Sequence, residues 1–204
     1  MAVWKALGAW LAWTAAHAVA AVLFMAYVVV LVPPFSAFPS LPLDGLGAGV
    51  LFGLGQSIVL RWFLPAVRWW LLATVLVSPV GWAMGYFFAF ATLGLGGWLG
   101  GFPPALMQAL LLVIAFQRRN PLAGLALGYL FAAMLGSLVF YFLFLDATGD
   151  RSLPQLSIFP TRLESMEVGS VAFGAITGIV VALMVWFAAR PVQSVAPAGA
   201  SGTL

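Results

Sequence analysis

Apolar residues are gathered into six long stretches: residues 7–32, 46–64, 69–92, 98–116, 122–145 and 168–189. A helix needs about 20 apolar residues to cross the hydrocarbon core of a bilayer, and each stretch approaches or exceeds that length. The breaks between them are chemically sensible. Pro33, Pro34, Pro39 and Pro42 forbid a continuing helix and make the first link. Pro65 divides the second stretch from the third, and Asn120-Pro121 the fourth from the fifth. Residues 146–167, with Pro154 and Pro160, read as the one long polar loop. The link 93–97 is short and uncharged, and Pro103-Pro104 belongs in the first turn of the helix that follows. The pattern predicts an all-helical integral membrane bundle of six spans, one domain over residues 1–190. Residues 191–204, mostly Ala, Gly, Ser and Pro, read as a disordered cytoplasmic tail. Lys5 ahead of an apolar run with Ala15, Ala18 and Ala20 resembles a signal peptide, but the run is too long for an h-region and is expected to remain as the first span.

Composition supports lipid as the solvent. The chain has 204 residues, of which 64% are hydrophobic and 6% charged, whereas soluble domains run near 25% charged. Charge is also sorted along the chain. All five acids, Asp44, Asp146, Asp150, Glu164 and Glu167, fall in the links after the first and fifth stretches. Lys5, Arg61, Arg68, Arg118, Arg119 and Arg190 fall in the other connections, leaving Arg151 and Arg162 with the acids. Basic loops stay on the cytoplasmic side. An even number of spans with both termini cytoplasmic, in a bacterial inner membrane, satisfies this sorting, and an odd number breaks it. Trp69, Trp70 and Trp98 at span ends, with Trp4, Trp62 and Trp186 near them, read as the interfacial aromatic belt, while Trp10, Trp13 and Trp82 read as deeper.

The even spans share a motif. Offsets of 52 and 121 residues align Ala48 with Gly100 and Gly169, Gly49 with Gly101 and Ser170, Gly53 with Ala105 and Gly174, and Gln56 with Gln108 and Thr177. Small residues four apart let helix backbones approach closely in lipid, and the polar group three residues later lies on the same face. In the odd spans Gly81-Trp82-Ala83-Met84-Gly85-Tyr86-Phe87-Phe88 echoes Gly124-Leu125-Ala126-Leu127-Gly128-Tyr129-Leu130-Phe131, with Ala26 and Tyr27 as a shorter copy. Tyr86 lies late in its span and Tyr129 early. The unit implied is a helical hairpin repeated three times in tandem. The segment from Gly53 through Gln56 to Arg61 resembles a loose group of uncharacterised bacterial membrane proteins, whose repeated Gly-rich helices carry a Gln near the middle and an Arg a few residues later. The second copy here has Val113 where Arg61 would align, and the third has Thr177 in place of Gln. The resemblance implies a polytopic membrane fold and brings no activity with it.

Several function classes fall away. The chain has no cysteine and one histidine, so disulfides, thiolate nucleophiles and His-rich metal sites are excluded. No Lys/Arg stripe suited to nucleic acid occurs, and neither do Gly-x-Ser-x-Gly, His-Glu-x-x-His or paired intramembrane aspartates. Ser57 and Ser137 have no histidine after them, which rules out a rhomboid-like pair.

Four candidate sites remain, each with a plainer alternative. Gln56, Gln108 and Thr177, with Tyr86 and Tyr129, either line an uncharged pocket or hydrogen-bond between helices. His17, one turn after Thr14, either ligates a haem or chlorophyll-type macrocycle or bonds a neighbouring helix while neutral. Arg61, Arg68, Arg118 and Arg119 either dock anionic lipid or a partner at the inner face, or only snorkel and signal topology. The acids of 146–167 read as a solvated loop or lid. With no intramembrane carboxylate or lysine for ion coupling, the leading expectation is a non-enzymatic scaffold or accessory subunit without cofactor, partnered by the bilayer and by another membrane protein or a second copy. The alternatives are a substrate-binding transport subunit for a neutral or aromatic small molecule, and a pigment or haem carrier through His17.

Overall fold

The computed structural model of the protein describes residues 1–31, 41–65, 67, 69–92, 96–117, 120–148 and 162–189. They form six helices: α1 (Ala2–Leu31), α2 (Leu41–Phe63), α3 (Trp70–Ala91), α4 (Phe102–Phe116), α5 (Asn120–Thr148) and α6 (Arg162–Ala188). A short 3-10 turn, Gly97–Gly101, leads into α4. All six helices, α4 taken with that turn, are long and apolar enough to cross a membrane. That length and apolarity fit a multi-pass membrane protein, and no strand occurs among the described residues.

Element ends differ from the sequence reading for a physical reason. Hydropathy marks where apolar residues stop, whereas helical hydrogen bonding continues into the headgroup region. So α2 begins at Leu41, ahead of the expected residue 46, with Pro42 in its first turn and Asp44 just behind. Proline is pre-shaped for that position, and an acid there complements the helix dipole. α5 runs through Asp146 to Thr148, and α6 begins at Arg162 and includes Glu164 and Glu167. The expected loop over 146–167 therefore overlaps helix at 146–148 and 162–167, and residues 149–161 are its remainder. That remainder lies outside the described residues, as do Arg68, Arg118, Arg119, Arg190 and the tail at 191–204.

Each helix packs against its chain neighbours, and α6 returns to α1, closing a ring. The α1–α6 and α2–α3 interfaces are more extensive than α1–α2, so three hairpins are not separable units of this ring. Neighbours run antiparallel. Gly8 of α1 faces Phe63 at one end of the α1–α2 seam, and Tyr27 Oη donates to the Leu43 carbonyl at 3.0 Å at the other.

The small residues of the even helices make the close approaches. A Cβ on Gly49 would come within 2.9 Å of Val75 Cα, and one on Gly53 within 3.1 Å of Thr74 Cβ. Gly100 faces the Gly81 carbonyl of α3, and Gly101 faces Ser137 of α5. Gly169 faces Phe140 of α5, and Gly174 faces His17 of α1. Ala105 and Ser170 are buried. The Ser170 hydroxyl has no hydrogen-bond partner, so it serves as a small residue.

The interior is layered. One apolar cluster includes Ala9, Leu60, Leu64, Val67, Leu112, Phe116 and Met184, towards the end where α1 begins. A second, towards the opposite end, centres on Phe24 and Ala48 with Phe52, Trp82 and Phe140 packed on it. Between them lies a layer of polar side chains.

Candidate functional site

Every helix contributes to that layer: Trp13 and His17 from α1, Gln56 from α2, Trp70 and Thr74 from α3, Gln108 from α4, Tyr129 from α5 and Thr177 from α6. All of them are buried. Tyr129 Oη donates to Gln108 Oε1 at 2.8 Å. Gln108 Nε2 donates to Gln56 Oε1 at 3.2 Å and to Thr74 Oγ1 at 3.0 Å. Trp70 Nε1 donates to the same Gln56 oxygen at 2.8 Å. Gln56 Nε2 lies 3.0 Å from His17 Nε2, and His17 Nδ1 lies 2.9 Å from the Trp13 carbonyl. Trp13 Nε1 donates to Thr177 Oγ1 at 2.9 Å, and Thr177 donates onward to the Phe173 carbonyl at 2.8 Å.

The chemistry fixes every orientation. An indole N–H only donates, so the Gln56 atom facing Trp70 is the carbonyl oxygen. The amide nitrogen then faces His17, and it too only donates. His17 Nε2 must accept, which puts the ring proton on Nδ1, where it donates to the Trp13 carbonyl. The result is a neutral imidazole in an uncharged network with its donors running one way, from α5 through α4 and α2 to α1. In a low-dielectric interior such bonds strengthen one another, and an unmade one is costly.

The local sequence explains the convergence. On the even helices the small residues preceding Gln56, Gln108 and Thr177 draw an odd helix close, so the polar side chain one turn on reaches across the contact. His17 is seated against Gly174, where a Cβ would lie 2.9 Å from its own Cβ, and between Phe52 and Phe173, with ring centroids at 5.9 and 5.3 Å. Around the polar atoms Trp13, Trp70 and Tyr129 meet edge-on at 5.7–6.4 Å. Such aromatic pairs add about 0.5–1.5 kcal/mol each beyond burial.

Of the residues singled out from sequence, Gln56, Gln108, Tyr129 and His17 are brought together, and Thr177 joins through Trp13. Tyr86 is not: it is 47% exposed near the far end of α3, and its ring lies against Trp82. Thr14 donates to the Trp10 carbonyl rather than serving His17. Trp70, assigned above to the interfacial belt, is instead 1% exposed and in the network, while Trp69 is 57% exposed. Trp69 is the cap residue just ahead of α3 and Trp70 its first helical residue, and that one-residue difference separates the exposed surface from the interior. Trp13 and Thr74 were missed as network members. The signal for Thr74 was its one-turn spacing from Trp70 and Ser78, all three buried on one face of α3. Arg61 is exposed at the end of α2.

Both nitrogens of His17 are engaged, so a macrocycle would have to displace the Gln56 amide or the Trp13 carbonyl to reach one. Outside the network an apolar groove of about 530 Å³ lies between the far ends of α1 and α2, lined by Leu23, Tyr27, Leu43, Leu46, Gly47 and Val50, among others. Among the described residues no group of three or more His, Cys, Asp or Glu could hold a metal ion. No protein-family model, curated protein or solved structure matches the chain. Geometry therefore carries the functional argument.

Proposed function

We propose that the chain is a non-enzymatic scaffold or accessory subunit of a membrane complex. One observation carries this reading: eight buried side chains, at least one from each of the six helices, are used on one another, in fixed orientations, rather than turned towards a shared cavity. A uniquely registered, uncharged network suits a subunit whose task is to hold its outer faces in place. The charge sorting of Lys5 and Arg61 against Asp44 supports a bacterial inner-membrane location with both termini cytoplasmic. The entry of Gln56, Gln108 and Thr177 into one network supports three tandem hairpins as the origin of the ring. Affinity isolation of the tagged protein from native membranes tests the reading. A stoichiometric membrane-protein partner or a stable homo-oligomer is the expected result. A solitary monomer would sink it.

A second reading rests on the α1–α2 groove. Its size falls within the roughly 300–1,000 Å³ of small-molecule sites, and its lining suits a neutral or aromatic ligand. That reading makes the chain a substrate-binding transport subunit. Mass spectrometry of extracts from the detergent-purified protein decides it, since a retained small molecule lost in Gly47→Leu would favour the groove. The third reading, a haem or chlorophyll-type carrier, stands or falls on a visible absorption band that His17→Ala abolishes.

A further inference from the structure

The α1–α2 seam is shut through one half of its length and open in the other. Towards the start of α1, Gly8 faces Phe63, and a Cβ on Gly55 would come within 3.3 Å of the Ala16 carbonyl oxygen. Towards the start of α2 the seam widens into the apolar groove of about 530 Å³. Ala26 offers only a methyl group to that space, and Leu23, Leu43, Leu46 and Val50 stand around it.

Tyr27 makes the wall firm. Its ring lies against Gly47, where a Cβ would come within 2.6 Å of Cε1, and it stacks on Phe24 with centroids 6.0 Å apart. Its hydroxyl donates to the Leu43 carbonyl at 3.0 Å. The other described lining residues carry no side-chain donor, so the groove is a preformed hollow whose one donor is already used.

Position selects the occupant. The groove lies within the spans of α1 and α2, and Leu23, Leu43, Leu46 and Val50 on its rim are 40–57% exposed. It therefore opens to hydrocarbon rather than to water. Along α2 it runs from Leu43 to Leu51, about 12 Å at about 1.5 Å per residue. The hydrocarbon core is about 30 Å thick, so the groove belongs to one leaflet. A partner helix crossing the whole bilayer would need a seat more than twice as long. Further along, the two helices meet closely and present Leu54 and Ile58 outward. An acyl chain from one leaflet has the matching length, and its flexible methylenes can follow the hollow.

Lipid tails are as apolar as leucine, so no hydrophobic gain sets the groove apart from other lipid-facing surface. Contact does. A concave wall touches a chain on several sides, and an unfilled hollow forfeits those contacts outright.

We propose that the α1–α2 groove holds one acyl chain of a phospholipid from the leaflet in which α2 begins. This assignment rests on the groove acting as a binding site, and it names the ligand class as acyl lipid rather than free aromatic solute.

The test uses the full chain in phosphatidylcholine vesicles doped with a phospholipid that carries a diazirine on one acyl chain. After illumination, cross-linked residues are mapped by mass spectrometry. Leu76 and Val80, 63% and 51% exposed on α3, are the reference. They lie at the depth of the groove, because Gly45 packs on Pro79 and Gly49 on Val75. Leu23, Leu46 and Val50 should be labelled about fivefold more than this pair, which corresponds to a preference of about 1 kcal/mol. Ala26→Phe fills the groove from an exposed position and should bring the ratio to about one. The ratio in the unaltered protein needs no variant, so misfolding cannot decide the outcome. Equal labelling of groove and reference overturns the proposal, as does an excess that survives Ala26→Phe. Equal labelling together with an aromatic molecule that the unaltered protein retains and Gly47→Leu loses sinks the acyl chain and leaves the substrate-binding reading standing. Equal labelling with no retained molecule sinks both. Groove labelling below the reference, with cross-linked dimers, would show a second copy seated there and overturn the acyl chain too.

Discussion

Replacing Gln108 with Leu tests the core network at the point where it branches. The side chain keeps roughly its volume and loses all three of its hydrogen bonds, to Tyr129, Gln56 and Thr74. Side-chain hydrogen bonds between membrane helices average about 0.6 kcal/mol, so the three together are worth about 2 kcal/mol. The partners do not fare equally. Gln56 Oε1 still receives the Trp70 indole, and Thr74 still donates to the Trp70 carbonyl. The Tyr129 hydroxyl belongs to a fully buried residue and is stranded, at a cost of about 1–3 kcal/mol. Gln108→Leu should therefore destabilise by about 3–5 kcal/mol. The double variant Gln108→Leu/Tyr129→Phe removes the stranded hydroxyl and should be no less stable than Gln108→Leu alone. Reversible unfolding in mixed micelles, followed by tryptophan fluorescence, measures both. A Gln108→Leu effect within about 0.5 kcal/mol, the range of an ordinary surface change, would refute the network's role. Strict additivity of the two single changes would do so as well.

Three further outcomes follow from other parts of the molecule. Trp70→Phe deletes the bond to Gln56 and should cost about 1–2 kcal/mol in the same unfolding assay. Gly81→Ala places a Cβ within 2.5 Å of the Gly100 carbonyl oxygen, a backbone atom that cannot swing aside. Overpacking of that kind costs about 1–3 kcal/mol, while Gly124→Ala meets nothing within 4 Å and should be neutral or stabilising by up to about 1 kcal/mol. Because the chain has no cysteine, single cysteines at Arg119 and Asp150 report orientation. An impermeant maleimide added outside intact cells should label Asp150→Cys and not Arg119→Cys, and the reverse pattern inverts the topology.

The legible and illegible parts of the candidate site divide along a physical line. Gln56, Gln108 and Thr177 stood out because a polar side chain after a small-residue seam has little reason to face lipid. His17 stood out as a lone imidazole in an apolar span. Their partners did not stand out. Trp13 read as deep from its mid-span position but had no partner assigned to it, and Trp70 carries the same ring as its neighbour Trp69, with nothing local to say which of that pair turns inward. Tyr86 and Tyr129 share a motif, yet one is half exposed and the other is buried in the network. Equal sequence context at unequal depth does not give equal surroundings.

What the sequence alone determined is what lipid enforces one residue at a time: six apolar runs, the breaks between them, and small residues at contact spacing on the even helices. These depend on run length and composition, which are local quantities. Only the tertiary structure decided the closure of α6 onto α1 and the pairing of His17 with Gln56, Gln56 with Gln108 and Trp13 with Thr177, across separations of 39, 52 and 164 residues. Those pairings depend on how far each helix is rotated about its own axis. In a soluble bundle an amphipathic stripe announces that angle. Here lipid and protein interior are both apolar, so the helices carry no such stripe, and the rotation is set by small-residue contacts and hydrogen bonds that exist only once all six helices have met.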